Sequence, residues 1–177
     1  VGEMMMAGTS SRSKDELDEE IDFIGASLNA SSSSLSGSSL KQHQEKVLEL
    51  MADILYHPIF PESELEKLKK QALTSLASSK DDPDYLAGVV SSALVYGKDH
   101  PYGETQTEES IQNVNLEDIR HYYETYFKPN IAYLAIVGDI QKDEAKQLVN
   151  QYFNEWEEGE VPKNSYEMPT PPRENRV

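Results

Sequence analysis

Apolar residues recur at intervals of three and four along most of this chain, which predicts a protein built chiefly of amphipathic helices. Leu17, Ile21 and Ile24 follow Ser13-Lys14-Asp15-Glu16, a hydroxyl three residues before a carboxylate, and Gly25 closes the run; this predicts a capped helix over 14–24. Val47, Leu48, Leu50, Met51, Ile54 and Leu55 form one wide apolar face over 41–57, ended by His57-Pro58. Pro61 and Glu62 open a further helix, with Leu65, Leu68, Ala72, Leu73 and Leu76 facing inward to about position 79. Asp81-Asp82-Pro83 breaks the chain before a helix over 85–96. Asn115 caps another that carries Ile119, Tyr122, Tyr123 and Tyr126, and the last helix runs over 142–156.

Two segments depart from the helical period. Serine crowds the stretch from Ser27 to Leu40, with Leu28, Ala30, Leu35 and Leu40 scattered through it. A flexible serine linker is one reading. A hairpin of two exposed strands is preferred, because both ends abut strong helices. Residues 131–137 form an unbroken apolar run closed by Gly138-Asp139, which predicts a buried strand. The expected architecture is α+β, with about six helices on one face of a mostly antiparallel sheet of about three strands. Three strands are few for so much apolar helix, which suggests that N-terminal strands are missing; Val1 to Met6 reads as the tail of a helix that begins earlier. Residues 1–158 are expected to form one domain, and the polar, proline-rich stretch 159–177 a linker to another.

The formal charge of −16 changes the range of functions. Acids outnumber bases two to one, which argues against binding to a phosphate backbone or to an anionic membrane and leaves a cationic or extended peptide as a compatible partner. No stretch approaches the roughly 18 apolar residues of a membrane span. Cysteine is absent, so neither a disulfide framework nor a thiolate site exists. His100 in the turn-rich His100-Pro101-Tyr102-Gly103 has no carboxylate at a fixed spacing, and the serines of 31–39 lie in no nucleophile elbow.

Several separate segments resemble one family in the same order. Ala7-Gly8-Thr9, then Gly25-Ala26-Ser27-Leu28-Asn29-Ala30-Ser31, then Asp81-Asp82-Pro83, His100-Pro101-Tyr102-Gly103, Tyr126-Phe127-Lys128-Pro129-Asn130 and Ile136-Val137-Gly138-Asp139 resemble landmarks of the insulinase/pitrilysin (M16) zinc metallopeptidases, whose domains have the LuxS/MPP-like metallohydrolase fold. The family holds zinc with two histidines of an inverted His-x-x-Glu-His motif and a glutamate on a later helix, leaving one coordination position for water. This sequence contains no such motif, and His43, His57, His100 and His121 are too scattered for two to stand one helical turn apart. By the resemblance, the general base falls near Gly2, the second ligand near Glu3 and the third near Thr74 or Ser75, so the chemistry is degenerate at both places.

The resemblance therefore implies a domain that is no enzyme by itself and holds no cofactor. Its partner would be a catalytic M16 domain, in the same chain or another subunit, carrying the zinc of a metalloendopeptidase. The implied role is to form part of a chamber around a peptide and to support the catalytic half; the alternative is a structural or assembly subunit of the respiratory core-protein type. In active relatives an edge strand near Leu28, Asn29, Ala30 and Ser31 takes up peptide by β-augmentation. A periplasmic or other extracytoplasmic location is the expectation for the parent protein.

Overall fold

The computed structural model describes residues 1–167 and 169. Among them are eight α-helices: α1 (Gly2–Met5), α2 (Lys14–Phe23), α3 (Gln44–Tyr56), α4 (Glu62–Ser79), α5 (Pro83–Tyr96), α6 (Glu108–Asn113), α7 (Leu116–Tyr126) and α8 (Lys142–Phe153). One antiparallel hairpin, β1 (Ser27–Ala30) and β2 (Leu35–Ser38), completes the regular structure. The described residues divide into two compact units, residues 1–65 with 115–162 and residues 66–114 with 163–167 and 169.

In the first unit the serine-rich stretch is a hairpin, not a linker. Ser27 faces Ser38, Leu28 faces Gly37, Asn29 faces Ser36 and Ala30 faces Leu35. The amide of Ser31 donates to the Ser34 carbonyl, and the Ser31 hydroxyl accepts from the amides of Ser33 and Ser34, so the turn satisfies its own backbone. Alternation does the rest. Leu28 is buried, and a Cβ added to Gly37 would stand 2.8 Å from Val47 Cγ1 and 2.9 Å from Met51 Sδ, so this face lies on α3. Ser27, Asn29, Ser36 and Ser38 are exposed on the opposite face. The core beneath is made by Met4, Met5, Leu17, Leu50 and Ile54, whose side chains are fully buried.

Capping fixes where the helices start. Ser13 and Glu16 form a reciprocal capping box at α2, and Asn115 and Asp118 another at α7. Phe60 takes a left-handed φ of 47° that a bulky residue rarely adopts. Its ring is buried, meets Tyr123 edge-on at 5.4 Å and lies beneath the Arg120 guanidinium at 5.8 Å, contacts that hold the conformation.

In the second unit Asp82 caps α5 through the amides of Asp84 and Tyr85, with Pro83 in the first turn, and Lys69 Nζ donates to the carbonyl of Gln112 at the end of α6. Leu76 and Ile111 are buried, whereas no residue of α5 is. The short helix α6 carries too few apolar residues to show a period. Its signal is Thr107, whose hydroxyl accepts from the Ser110 amide while the Ser110 hydroxyl accepts from the amide of Thr107.

One expected strand is absent. Residues 132–137 run without helix or ladder after a 3₁₀ turn at Pro129–Ile131, and Tyr133 and Val137 are 102% and 97% exposed. An apolar run supplies the tendency to extend, but a strand exists only when a neighbour takes its amides and carbonyls. Among the described residues no strand does so. Residues 159–167 carry no regular structure, and the end of the expected linker, Met168 and positions 170–177, lies outside the described residues.

Candidate functional site

Gly2 and Glu3 lie on α1, whose other residues, Met4 and Met5, are sunk in the core. The turn after α1 is bolted to the end of α3. The Gly8 carbonyl accepts from the Ile59 amide at 3.3 Å, the Ser10 amide donates to the His57 carbonyl at 2.9 Å, and the amide of Thr9 donates to the carbonyl of Arg12 at 2.8 Å. Gly8, at a φ of 118°, makes the turn that a side chain would strain.

Beneath this turn sits a polar cluster built on Arg12 and Asp53. Asp53 Oδ2 accepts from Thr9 Oγ1 at 2.7 Å, Ser11 Oγ at 2.8 Å and Arg12 Nη1 at 2.6 Å. Arg12 also reaches Glu20 at 3.0 Å and Glu49 at 2.6 Å, and Lys46 bridges the same two glutamates. Burial pushes the Asp53 carboxyl up, but the three donors outweigh it and hold the group below the usual carboxylate range. The Lys46 ammonium, opposed by desolvation and helped by Arg12, does the same for Glu20. Serine, aspartate and histidine meet here, since His57 Nδ1 is 3.3 Å from Asp53 Oδ1. The Ser11 hydroxyl nevertheless donates to the carboxylate, not to the imidazole, so the group is a clamp and not an activated nucleophile. Nothing in the local spacing announces it, because the partners of Arg12 come from α2 and α3.

Of the four positions that the resemblance singles out, only Glu3 carries a carboxylate. Gly2 has no side chain, and the place its Cβ would take is 2.4 Å from the Ala30 carbonyl oxygen and 2.5 Å from Ser31 Cα. Glu3 is exposed. In the second unit, Thr74 and Ser75 are on α4 with little to coordinate with, and the Thr74 hydroxyl donates to the Lys70 carbonyl at 2.9 Å. A catalytic zinc takes three protein nitrogen or carboxylate oxygen donors. Glycine supplies none, and a threonine bonded to its own helix supplies a weak one, so these residues do not fit the ion. Among the described residues, no three His, Asp or Glu side chains converge as metal ligands.

The structure does bring the first of these positions together with the expected peptide edge. Gly2 abuts Ala30 and Ser31 at the end of β1, and the hairpin leaves the other edge of β1 without a strand among the described residues. Leu28 points into the core and Asn29 outward, its Nδ2 donating to Ser27 Oγ at 3.1 Å. No described helix is long and apolar enough to cross a membrane.

Two family descriptions match separate stretches of the chain. The family described as insulinase (peptidase family M16) matches residues 1–101, and the peptidase M16 inactive domain matches residues 113–177. The chain is 29% identical over 160 residues to an uncharacterized zinc protease, YmxG, of Bacillus subtilis (strain 168), covering 87% of this chain and 39% of that protein. It is 26% identical over 129 residues to a non-peptidase homolog, YmxG, of Helicobacter pylori (strain ATCC 700392 / 26695), covering 72% of this chain and 30% of the relative. The chain thus spans well under half the length of the curated relatives it matches. A crystal structure of a peptidase M16 inactive domain from Pseudomonas fluorescens superposes with a TM-score of 0.80 at 21% identity, over 96% of this chain and 42% of the other, which establishes the shared α+β fold. With more than half of its residues matched by the family, the chain belongs to the insulinase peptidases, family M16.

Proposed function

We propose that residues 1–158 are a non-catalytic domain of an M16 zinc peptidase, with 159–177 leading to a neighbouring domain. The domain forms part of the wall around a peptide and holds a zinc-bearing catalytic partner in register. The chemistry of the sequence carries this reading: it has no His-x-x-Glu-His motif, and Gly2, an exposed Glu3, Thr74 and Ser75 are the residues at the positions where the resemblance expects the base and ligands. The match of 113–177 to the inactive domain and the non-peptidase relative support it. Metal analysis of the purified chain tests it: zinc stays far below one ion per chain and peptide substrates remain intact. Stoichiometric zinc that a chelator removes together with peptidase activity sinks the reading.

A second part of the proposal concerns the free edge of β1. The edge of β1 opposite β2 carries no strand among the described residues and lies beside an exposed hydroxyl-rich face, a geometry to which an extended peptide can add as a strand. Titration with a cationic extended peptide then shifts the amides of residues 28–31; unperturbed amides at saturating peptide remove this part. The alternative, an assembly subunit with no associated proteolysis, is separated by its company. A partner domain bearing His-x-x-Glu-His favours the peptidase chamber, and a partner without it favours assembly.

A further inference from the structure

As a relic, Gly2 is a general base that has been lost. Its surroundings give it a different role. The three atoms nearest the place of a Gly2 Cβ are Ala30 O at 2.4 Å, Ala30 C at 2.5 Å and Ser31 Cα at 2.5 Å, all belonging to the strand backbone. Real side chains do not come this close. Gly2 is helical and is not among the glycines with positive φ, so space and not torsion demands glycine here.

Neither side of the contact can easily retreat. On one side, α1 is anchored by Met4 and Met5, which are 1% and 0% exposed. On the other, Ser31 is tied into the hairpin turn by its amide and by its hydroxyl. Gly37 differs instructively. Its near neighbours at 2.8–3.1 Å are the ends of Val47, Met51 and Leu28 side chains, which can shift. Backbone cannot do so without moving the strand.

We infer that Gly2 is a joint, the point where α1 rests directly on the Ala30–Ser31 end of β1, and that it sets the position of the candidate peptide edge. The space a general base would need is already filled by strand backbone, so a glutamate at 2 does not fit without moving the strand. The inference rests on the reading of Gly2 and Glu3 as counterparts of the family's base and second ligand.

Three variants of the full chain test it: Gly2→Ala, Glu3→Ala and the double variant Gly2→Glu/Glu3→His. Gly2→Ala lowers the melting temperature by about 3–10 °C, as backbone overpacking in a chain of this size does, and shifts the amides of residues 28–31. Glu3→Ala, an exposed position one residue along the same helix, stays within about 1 °C. The double variant, with a longer side chain at position 2, melts lower than Gly2→Ala. Three results overturn the joint: Gly2→Ala with unchanged melting and amides, equal losses at positions 2 and 3, or a double variant that melts like the parent. Zinc in the unsubstituted chain would instead overturn the non-catalytic reading and leave the Gly2→Ala result standing.

Discussion

Arg12 Nη1 lies 2.6 Å from Asp53 Oδ2, and the two side chains are 17% and 11% exposed, so the ion pair is well enclosed. Asp53 also accepts from Thr9 and Ser11, so one carboxylate fastens the turn after α1 to α3. Because its folded pKa is depressed, the stability it contributes is fully present above the unfolded value near 4 and is lost as pH falls through the folded one. Glu20 acts in the same direction but is 36% exposed, so solvent screens its share to well under about 1 kcal/mol. Asp53→Ala removes the acceptor shared by Thr9, Ser11 and Arg12, whose guanidinium keeps Glu20 and Glu49, and lowers stability at neutral pH by about 1–3 kcal/mol. Urea midpoints at neutral and strongly acid pH check both points. The parent loses more on acidification than Asp53→Asn does, and parallel losses in the two proteins contradict the assignment.

The hairpin packs on α3 through Gly37, where an added methyl meets Val47, Met51 and Leu28. Gly37→Ala therefore destabilises by about 1–2 kcal/mol through overpacking. Met51 is unbranched and can give way, so the cost depends on it. In a double-mutant cycle with Met51→Ala the two losses add to less than their sum, because the shortened side chain vacates the space the methyl needs. Strict additivity shows that the sheet does not rest where the register puts it.

Ser13 was legible from sequence alone, and so was the cap it makes. Its hydroxyl accepts from the Glu16 amide at 3.3 Å while Glu16 Oε2 accepts from the Ser13 amide at 2.8 Å. Ser13→Ala loses about 1 kcal/mol, and Ser13→Asp, which can cap in the same way, loses far less. Helical circular dichroism during thermal unfolding distinguishes them. Equal losses for alanine and aspartate mean that the hydroxyl works through some other contact.

These cases also mark what a sequence can disclose. Caps such as Ser13 and Asn115, the amphipathic face of α3 and the Ser27–Ser38 hairpin were readable because their cause lies within a few residues of their effect. The Arg12 cluster was not, because Glu20, Glu49 and Asp53 are assembled by folding and carry no spacing that differs from ordinary surface charge. The run 131–137 misled for the converse reason. Its composition is that of a buried strand, yet a strand's identity belongs to the pair, and no partner stands beside it among the described residues. That Gly2 brings no donor is plain from its residue type, while the strand backbone packed against it could be seen only in three dimensions.

Tyr123 supplies the last expectation, at the alkaline end. Its hydroxyl donates to the carbonyl of Leu55 in the final turn of α3, one of the four carbonyls that a helix leaves without an internal partner. Burial, reinforced by Glu124 and Tyr56, pushes the phenol up to about 12. A folded pKa above the ordinary tyrosine value near 10 means a contribution complete below that value and lost as pH rises through the folded one. Tyr123→Phe removes the donor and leaves the Leu55 carbonyl unpaired, a loss of about 1 kcal/mol at neutral pH. It also removes part of the alkaline decline, so the gap between parent and variant narrows as pH climbs past 10. The difference in tyrosinate absorbance between the two proteins isolates this one phenol. A midpoint at the ordinary value places Tyr123 in solvent and removes the bond from the account of how α7 is held against α3.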